Sequence, residues 1–250
     1  MVGAVFAILA PNVEYIALSV NMMSVLASSF TVLFLFWTIT GIARRLVREQ
    51  ANDNKTQILV LIAGLVGALG FAYTDSFWFN AVEAEVYAMA TCILSILFWL
   101  GLRWEADMDN PRGDRWLVLI AFVVGLSFGV HFMGLLTIPA IGMLYYFKTT
   151  EAVTIKGFVL ANVLSVTVLL FIFKLLLPST LAYFGYAEVF FVNQIGLPFH
   201  SGTIAAALSL VAFFVYTLKL THRKSWVQLN TGLLCILFIP VSYTHLTLPT

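Results

Sequence analysis

The sequence predicts an all-α fold, a polytopic transmembrane helix bundle of about eight spans or half-spans. Three observations carry this expectation. Of the 250 residues, 61% are hydrophobic and only 10% are charged, whereas a soluble domain carries roughly 25% charged residues. So few polar groups cannot cover a globule, and the chain's solvent must be largely lipid. Apolar runs recur at the length of a bilayer-crossing helix, about 20 residues. Finally, Lys and Arg collect in alternate connections, as they do where loops alternate between the cytoplasm and the outside. The net charge of +1 offers no basic footprint for nucleic acid.

Taken in order, the apolar spans are 16–43, 57–73, 82–102, 156–177, 203–220 and 229–241, with a longer apolar stretch at 116–147. The chain opens MVGAVFAILAP with no basic residue ahead of the apolar run, unlike a signal peptide, and reads as the middle of something longer. Arg44, Arg45, Arg48 and Lys55 follow the first span, and Arg103, Arg112 and Arg115 follow the third. Lys148 and Lys156 lie beyond 147, and Lys219, Arg223 and Lys224 follow 220. The connections 74–102 and 178–202 carry no Lys or Arg. A single crossing by 116–147 would put Lys148 and Lys156 outside; two crossings restore the alternation. The expectation is therefore two short helices of about 15 residues, meeting near Gly129-Val130-His131-Phe132-Met133-Gly134. Non-helical backbone at that depth is tolerated only where protein or a wet cavity covers it. The basic-free side is then the extracytoplasmic one. Cys92 and Cys235 both lie in apolar runs and read as buried thiols.

Three acids, Asp75, Glu83 and Glu85, stand in TDSFWFNAVEAEVYAMA, among Trp78, Phe79 and Tyr87 and without a base. Acids at a helix N-terminus complement its dipole, and the aromatics suit a membrane-interface belt; that is the plain account. The sharper one starts from the cost of ionisable groups at membrane depth, which usually serve a function. On a helix, Glu83 and Glu85 point about 200° apart, and Tyr87 shares a face with Glu83. A carboxylate there would orient or deprotonate a hydroxyl acceptor, or hold a divalent ion beside a pyrophosphate. A divalent cation is the one candidate cofactor, and the sequence establishes none. His131 reads either as a core histidine bonded to a freed carbonyl at the break or as a ligand for phosphate or sugar. Lys174 reads as a snorkelling lysine or as a contact to lipid phosphate. The stretch 181–202, rich in Tyr and Phe with Glu188 as its acid, predicts a helix lying in the interface. The loop EADMDNPRGDR lacks the register of a calcium hand and reads as a solvated turn. No Walker loop, nucleophile elbow or Cys/His metal spacing occurs.

Four segments carry a resemblance: VNMMSVLASSFTVLFLFWTIT, DSFWFNAVEAEVYAM, GLSFGVHFMGLLTIPAI and AEVFFVNQIGLPFHSGT. Together they resemble domain-of-unknown-function family 2723, the transmembrane-protein-260-like proteins, which are similar to the eukaryotic O-mannosyltransferases. The resemblance implies a GT-C-like glycosyltransferase in a bacterial inner membrane, taking sugar from a polyprenyl-phosphate donor to a protein acceptor on the periplasmic side. It implies an acidic patch near the donor phosphate in the second outward loop, where Asp75, Glu83 and Glu85 fall if 16–43 is the second helix of the full protein. Beside that patch, the residues themselves offer Tyr87, His131 and Lys174 as substrate-binding candidates, His131 at the donor phosphate. The family's first helix and first outward loop, with an Asp-Cys-Gly-Glu-type motif and the expected base, have no match here. Residues 1–15 then read as the remnant of an extracytoplasmic membrane-lying helix, ahead of a transmembrane domain at 16–241. The last residues, 242–250, form an atypical tail. Rival readings are a transporter or lipid flippase, which also uses broken helices, and a non-catalytic membrane subunit.

Overall fold

The computed structural model describes residues 2–47, 53–110, 112–223, 226 and 229–237. The tail 242–250 and the end of the last expected span lie outside these residues. All regular structure among the described residues is helical. The chain divides into two compact units, Met1–Ala106 with Val130–Thr137, and Asp107–Gly129 with Ile138–Thr250.

The first unit contains α1 (Val2–Ile8), a 3-10 turn (Val13–Tyr15), α2 (Ile16–Leu46), α3 (Asn54–Ala72), α4 (Asp75–Val82) and α5 (Val86–Asp107). A second 3-10 turn, Phe132–Leu136, joins them. Small residues set the packing, as expected where lipid removes the hydrophobic drive between helices. A Cβ on Gly64 would stand 2.4 Å from Thr40 Cγ2, and one on Gly67 would stand 2.7 Å from Ile39 Cδ1. Those pairings run in opposite directions along the two helices, so α2 and α3 are antiparallel. Against α5, Ala27 meets Ala88 and Cys92 in a buried cluster. Further along, Arg45 donates to the Leu102 carbonyl at 3.0 Å and pairs with Glu105. These pairings advance together, so α2 and α5 are parallel. Two threonine hydroxyls of α2 are satisfied within the helix: Thr31 Oγ1 donates to the Ala27 carbonyl and Thr40 Oγ1 to that of Phe36.

The second unit contains α6 (Asp114–Ser127), α7 (Thr137–Thr149), α8 (Ile155–Phe171), α9 (Leu177–Val189), α10 (Ser201–Arg223) and a helical segment at 229–237, here α11. The expected break is present: α6 ends at Ser127, and α7 begins at Thr137 after the second 3-10 turn. The two helices have 14 and 13 residues, and their outer ends meet where Lys148 Nζ lies 2.9 Å from Asp109 Oδ2. The helix 155–194 is continuous, with π turns at Ile172–Leu176 and Phe190–Gln194. This corrects two expectations: the span does not stop at 177, and 181–202 is not a separate helix. Pro178 is carried because the Leu177 N–H reaches back five residues to the Ile172 carbonyl, which resets the register just where proline supplies no donor.

Among the described residues, five helices are long and apolar enough to cross a membrane: Val13–Leu46, Asn54–Ala72, Val86–Asp107, Ile155–Gln194 and Ser201–Arg223. Together with α6, α7 and α11 they form an all-α, polytopic bundle.

Candidate functional site at the acidic end of the first unit

Because α3 runs antiparallel to α2 and α5 runs parallel to it, one end of the first unit gathers the start of α2, the end of α3, all of α4 and the start of α5. This end carries Glu14, Asp75, Glu83 and Glu85 and no Lys or Arg; Arg44, Arg45, Lys55 and Arg103 lie at the other. Glu14, in the 3-10 turn that feeds α2, had no motif to mark it; its signal was only that it is an acid directly before a membrane span.

Asp75 is the first residue of α4, whose carboxylate complements the exposed amides of the first turn. Phe77 is buried, its ring centre 4.6 Å from that of Phe71 at a tilt of 47°, anchoring α4. Trp78 lies parallel to Tyr73 at 6.1 Å, and both are largely exposed, as an interface belt requires.

Glu83 and Glu85 are not on a helix, which corrects the expectation that they sit 200° apart on a span beginning at 82. Glu83 is extended, at φ −106° and ψ 143°, and closes α4; the Glu85 N–H donates back to the Glu83 carbonyl at 2.9 Å. This tight three-residue link leaves both carboxylates exposed, just ahead of Val86 and the free amides of α5. Among the described residues, no hydrogen bond or ion pair engages the carboxylates of Asp75, Glu83 or Glu85, and no three His, Cys, Asp or Glu are gathered as a metal site.

Tyr87 and His131 are brought together. Their rings lie 5.7 Å apart at 47°, although one begins α5 and the other lies in the distant break. His131 caps the second 3-10 turn: its Nδ1 accepts the Met133 N–H at 3.2 Å. The histidine thus accepts from a freed amide rather than donating to a freed carbonyl. That bond assigns the ring hydrogen to Nε2 and leaves Nε2 as a donor. The ring is half-buried and Tyr87 is exposed. Glu85 is two residues before Tyr87, within roughly 7 Å along the backbone.

Lys174 belongs to the second unit. It lies in the first π turn, exposed, with Nζ 5.3 Å from the Phe173 ring. Glu188, in the same unit, is fully committed: its carboxylate accepts from the N–H groups of His200 (2.5 Å) and Thr203 (2.7 Å) and from Thr203 Oγ1 (2.9 Å). It clamps the start of α10, where His200 takes a left-handed φ of 73°, and it is no reagent.

The family model described as the protein O-mannosyl-transferase TMEM260 N-terminal domain matches residues 1–154, a stretch that includes the four acids, Tyr87 and His131. No curated protein and no solved structure matches the chain. Five helices of membrane-crossing length and a match over well more than half of the chain lead to one conclusion: this is a glycosyltransferase-like membrane protein that belongs to the family of the protein O-mannosyl-transferase TMEM260 N-terminal domain.

Proposed function

We propose that the protein is a GT-C-type glycosyltransferase of domain-of-unknown-function family 2723, resident in a bacterial inner membrane. It moves a sugar from a polyprenyl-phosphate donor to a periplasmic acceptor, foremost a protein hydroxyl. The observation that carries this reading is the Tyr87–His131 pair, set directly after the acidic link of Glu83 and Glu85. A transferase of this kind needs two opposed environments within one sugar's reach: hydrogen-bond donors for the departing phosphate and a carboxylate for the incoming hydroxyl.

His131 Nε2–H and the Tyr87 hydroxyl supply the donors. As the acceptor oxygen bonds to the anomeric carbon, the bond from that carbon to phosphate oxygen breaks and negative charge collects on the phosphate. Those donors stabilise it. Glu83 and Glu85 orient the acceptor hydroxyl and draw its proton; Asp75, at the start of α4, adds to the acidic patch. The same carboxylates, which have no partner among the described residues, would hold a divalent cation if the reaction uses one. Lys174 fits a lipid-phosphate contact: it is nineteen residues into the helix starting at Ile155, about 29 Å along it, which is roughly one hydrocarbon thickness.

The test is an in vitro transfer assay on the complete gene product in membranes, with polyprenyl-phosphate sugars and periplasmic acceptor proteins. Glu83→Gln should lower product formation about 10²-fold or more, the loss that follows from removing a general base. Undiminished glycan formation by Glu83→Gln and by Glu85→Gln would remove the acids from the reaction.

A further inference from the structure

The outward face of α4 carries aromatic rings beside a carboxylate. Asp75, Trp78, Phe79 and Val82 stand at i, i+3, i+4 and i+7, so they share one face of the helix, opposite buried Phe77. The Trp78 ring centre lies 6.1 Å from that of Tyr73, the two planes are only 10° apart, and both residues are more than half exposed. We propose that this face is a sugar-binding platform, on which a pyranose ring of the substrate lies against Trp78 and donates its hydroxyls to Asp75. Such a platform rests on the transferase reading and gives its sugar a seat.

A pyranose is two-natured in the same way as this face. Its axial C–H bonds form a flat apolar patch with a partial positive charge, which settles on the negative face of an aromatic ring. Its rim is hydroxyl groups, which donate to a carboxylate in charge-assisted bonds. Among the described residues no hydrogen bond or ion pair engages the Asp75 carboxylate, so its oxygens can accept them. The surface is also fixed before any sugar arrives, which lowers the cost of binding. Phe77 packs on Phe71 beneath it, the Thr74 hydroxyl donates to the Phe71 carbonyl at 2.8 Å, and the Trp78 amide donates to the Thr74 carbonyl at 2.9 Å.

Charge argues against lipid headgroups as the occupant. No Lys or Arg occurs between 56 and 102, whereas helices that lie on a membrane set basic residues on their polar face. An acid on the same face as the rings would meet the phosphates of the bilayer, but a neutral polyol offers it nothing to repel. Location favours a sugar as well. Trp78 is five residues before Glu83, about 7.5 Å along the helix axis, so a ring seated on it lies next to the acidic link.

The protein is labelled with fluorotryptophan, placed in phosphatidylcholine nanodiscs and titrated with methyl hexopyranosides; the Trp78 fluorine resonance is assigned by its loss in Trp78→Phe. That resonance should shift saturably with the glycosides and not with sorbitol, which has the hydroxyls but no flat C–H face. Asp75→Asn should raise the half-saturating concentration about tenfold, the loss of a charge-assisted bond, while the resonance itself reports that α4 is folded. Displacement of the glycoside by a polyprenyl-phosphate hexose would make the bound ring the donor's, and displacement by a water-soluble trisaccharide alone would make it the acceptor's; both support the platform. No response to any glycoside, an equal response to sorbitol, or an unchanged half-saturation in Asp75→Asn would overturn it. So would a Trp78 resonance that answers only to nitroxide-labelled lipid, which would return the rings to the lipid interface. A saturable shift in a protein that transfers no sugar counts against the transferase and for the platform, whereas an unresponsive Trp78 in a protein that does transfer sugar overturns the platform alone.

Discussion

Lys148 Nζ lies 2.9 Å from Asp109 Oδ2, and that contact requires the chain to double back between them. Drawn out straight, α6 and α7 alone would hold the two groups roughly 40 Å apart. The turn-back is made of Gly129, His131 and the 3-10 turn, and neither helix reaches the length of a full span. A hairpin that enters and leaves on one side preserves the alternation of basic connections, so the connections at 83–85 and 195–200 should emerge together on the extracytoplasmic face. In a Cys92→Ala/Cys235→Ala background, Ala84→Cys and Phe199→Cys should both react with a membrane-impermeant maleimide from the periplasm, while Asp109→Cys should not. Labelling of 84 and 199 from opposite sides would abolish the proposed catalytic face.

The tyrosine–histidine pair makes a prediction that separates chemistry from packing. Tyr87→Phe keeps the ring contact with His131 and removes only the hydroxyl. His131→Ala removes both the Nε2 donor and the acceptor for the Met133 amide. Tyr87→Phe should lower transfer with little change in thermal stability. His131→Ala should lower transfer about 10²-fold, the cost of losing one donor to a developing oxyanion. His131→Asn, whose side-chain oxygen can still cap the turn, should restore stability without restoring activity. An active His131→Ala protein would reduce the histidine to a cap.

Some of this was legible in the residues and some was not, for physical reasons. The hairpin break near His131 was legible because charges report sidedness over long distances, and a single crossing by 116–147 would strand Lys148 and Lys156 on the outer side. The start of α5 at Val86 was not, since Glu83-Ala84-Glu85 contains no Gly or Pro to mark a link; a backbone bond from Glu85 to Glu83 makes it. The continuous helix through Pro178 was hidden for the opposite reason. A proline that usually ends a helix is accommodated by a π turn, and no local residue announces one. The contact of Tyr87 with His131 joins two elements far apart in the chain, and neither residue's neighbours point to the other.

Gly202 sets how closely α10 can approach α9. A Cβ there would stand 2.3 Å from the Ala187 carbonyl oxygen and 2.4 Å from Glu188 Cα, both backbone atoms with no rotamer to yield. Gly202→Ala should therefore force the helices apart and break the bonds from His200 and Thr203 to Glu188, costing about 1–3 kcal/mol. Reversible unfolding in mixed micelles would measure it. Glu188→Gln, which keeps an acceptor oxygen, should be milder than Glu188→Ala, and a neutral Gly202→Ala would show that α9 and α10 are not in contact at this point.

Gly142 and Ser165 offer a pairwise test of the α7–α8 contact. A Cβ on Gly142 would lie 2.0 Å from Ser165 Oγ and 2.9 Å from Ser165 Cβ. Ser165 Oγ is itself held on the Ala161 carbonyl at 2.8 Å, within its own helix, so the hydroxyl contributes nothing across the interface except its volume. Ser165→Ala should therefore be close to neutral, while Gly142→Ala should cost about 1–3 kcal/mol through overpacking. Combining them removes the nearer of the two clashing atoms. The double variant should then recover part of the loss, with a coupling of at least about 0.5 kcal/mol in a double-mutant cycle. Ser165→Gly, which also removes the Cβ, should relieve the clash more completely, offset by the cost of glycine inside a helix. Simple additivity of Gly142→Ala and Ser165→Ala would mean that α7 and α8 do not pack through these residues.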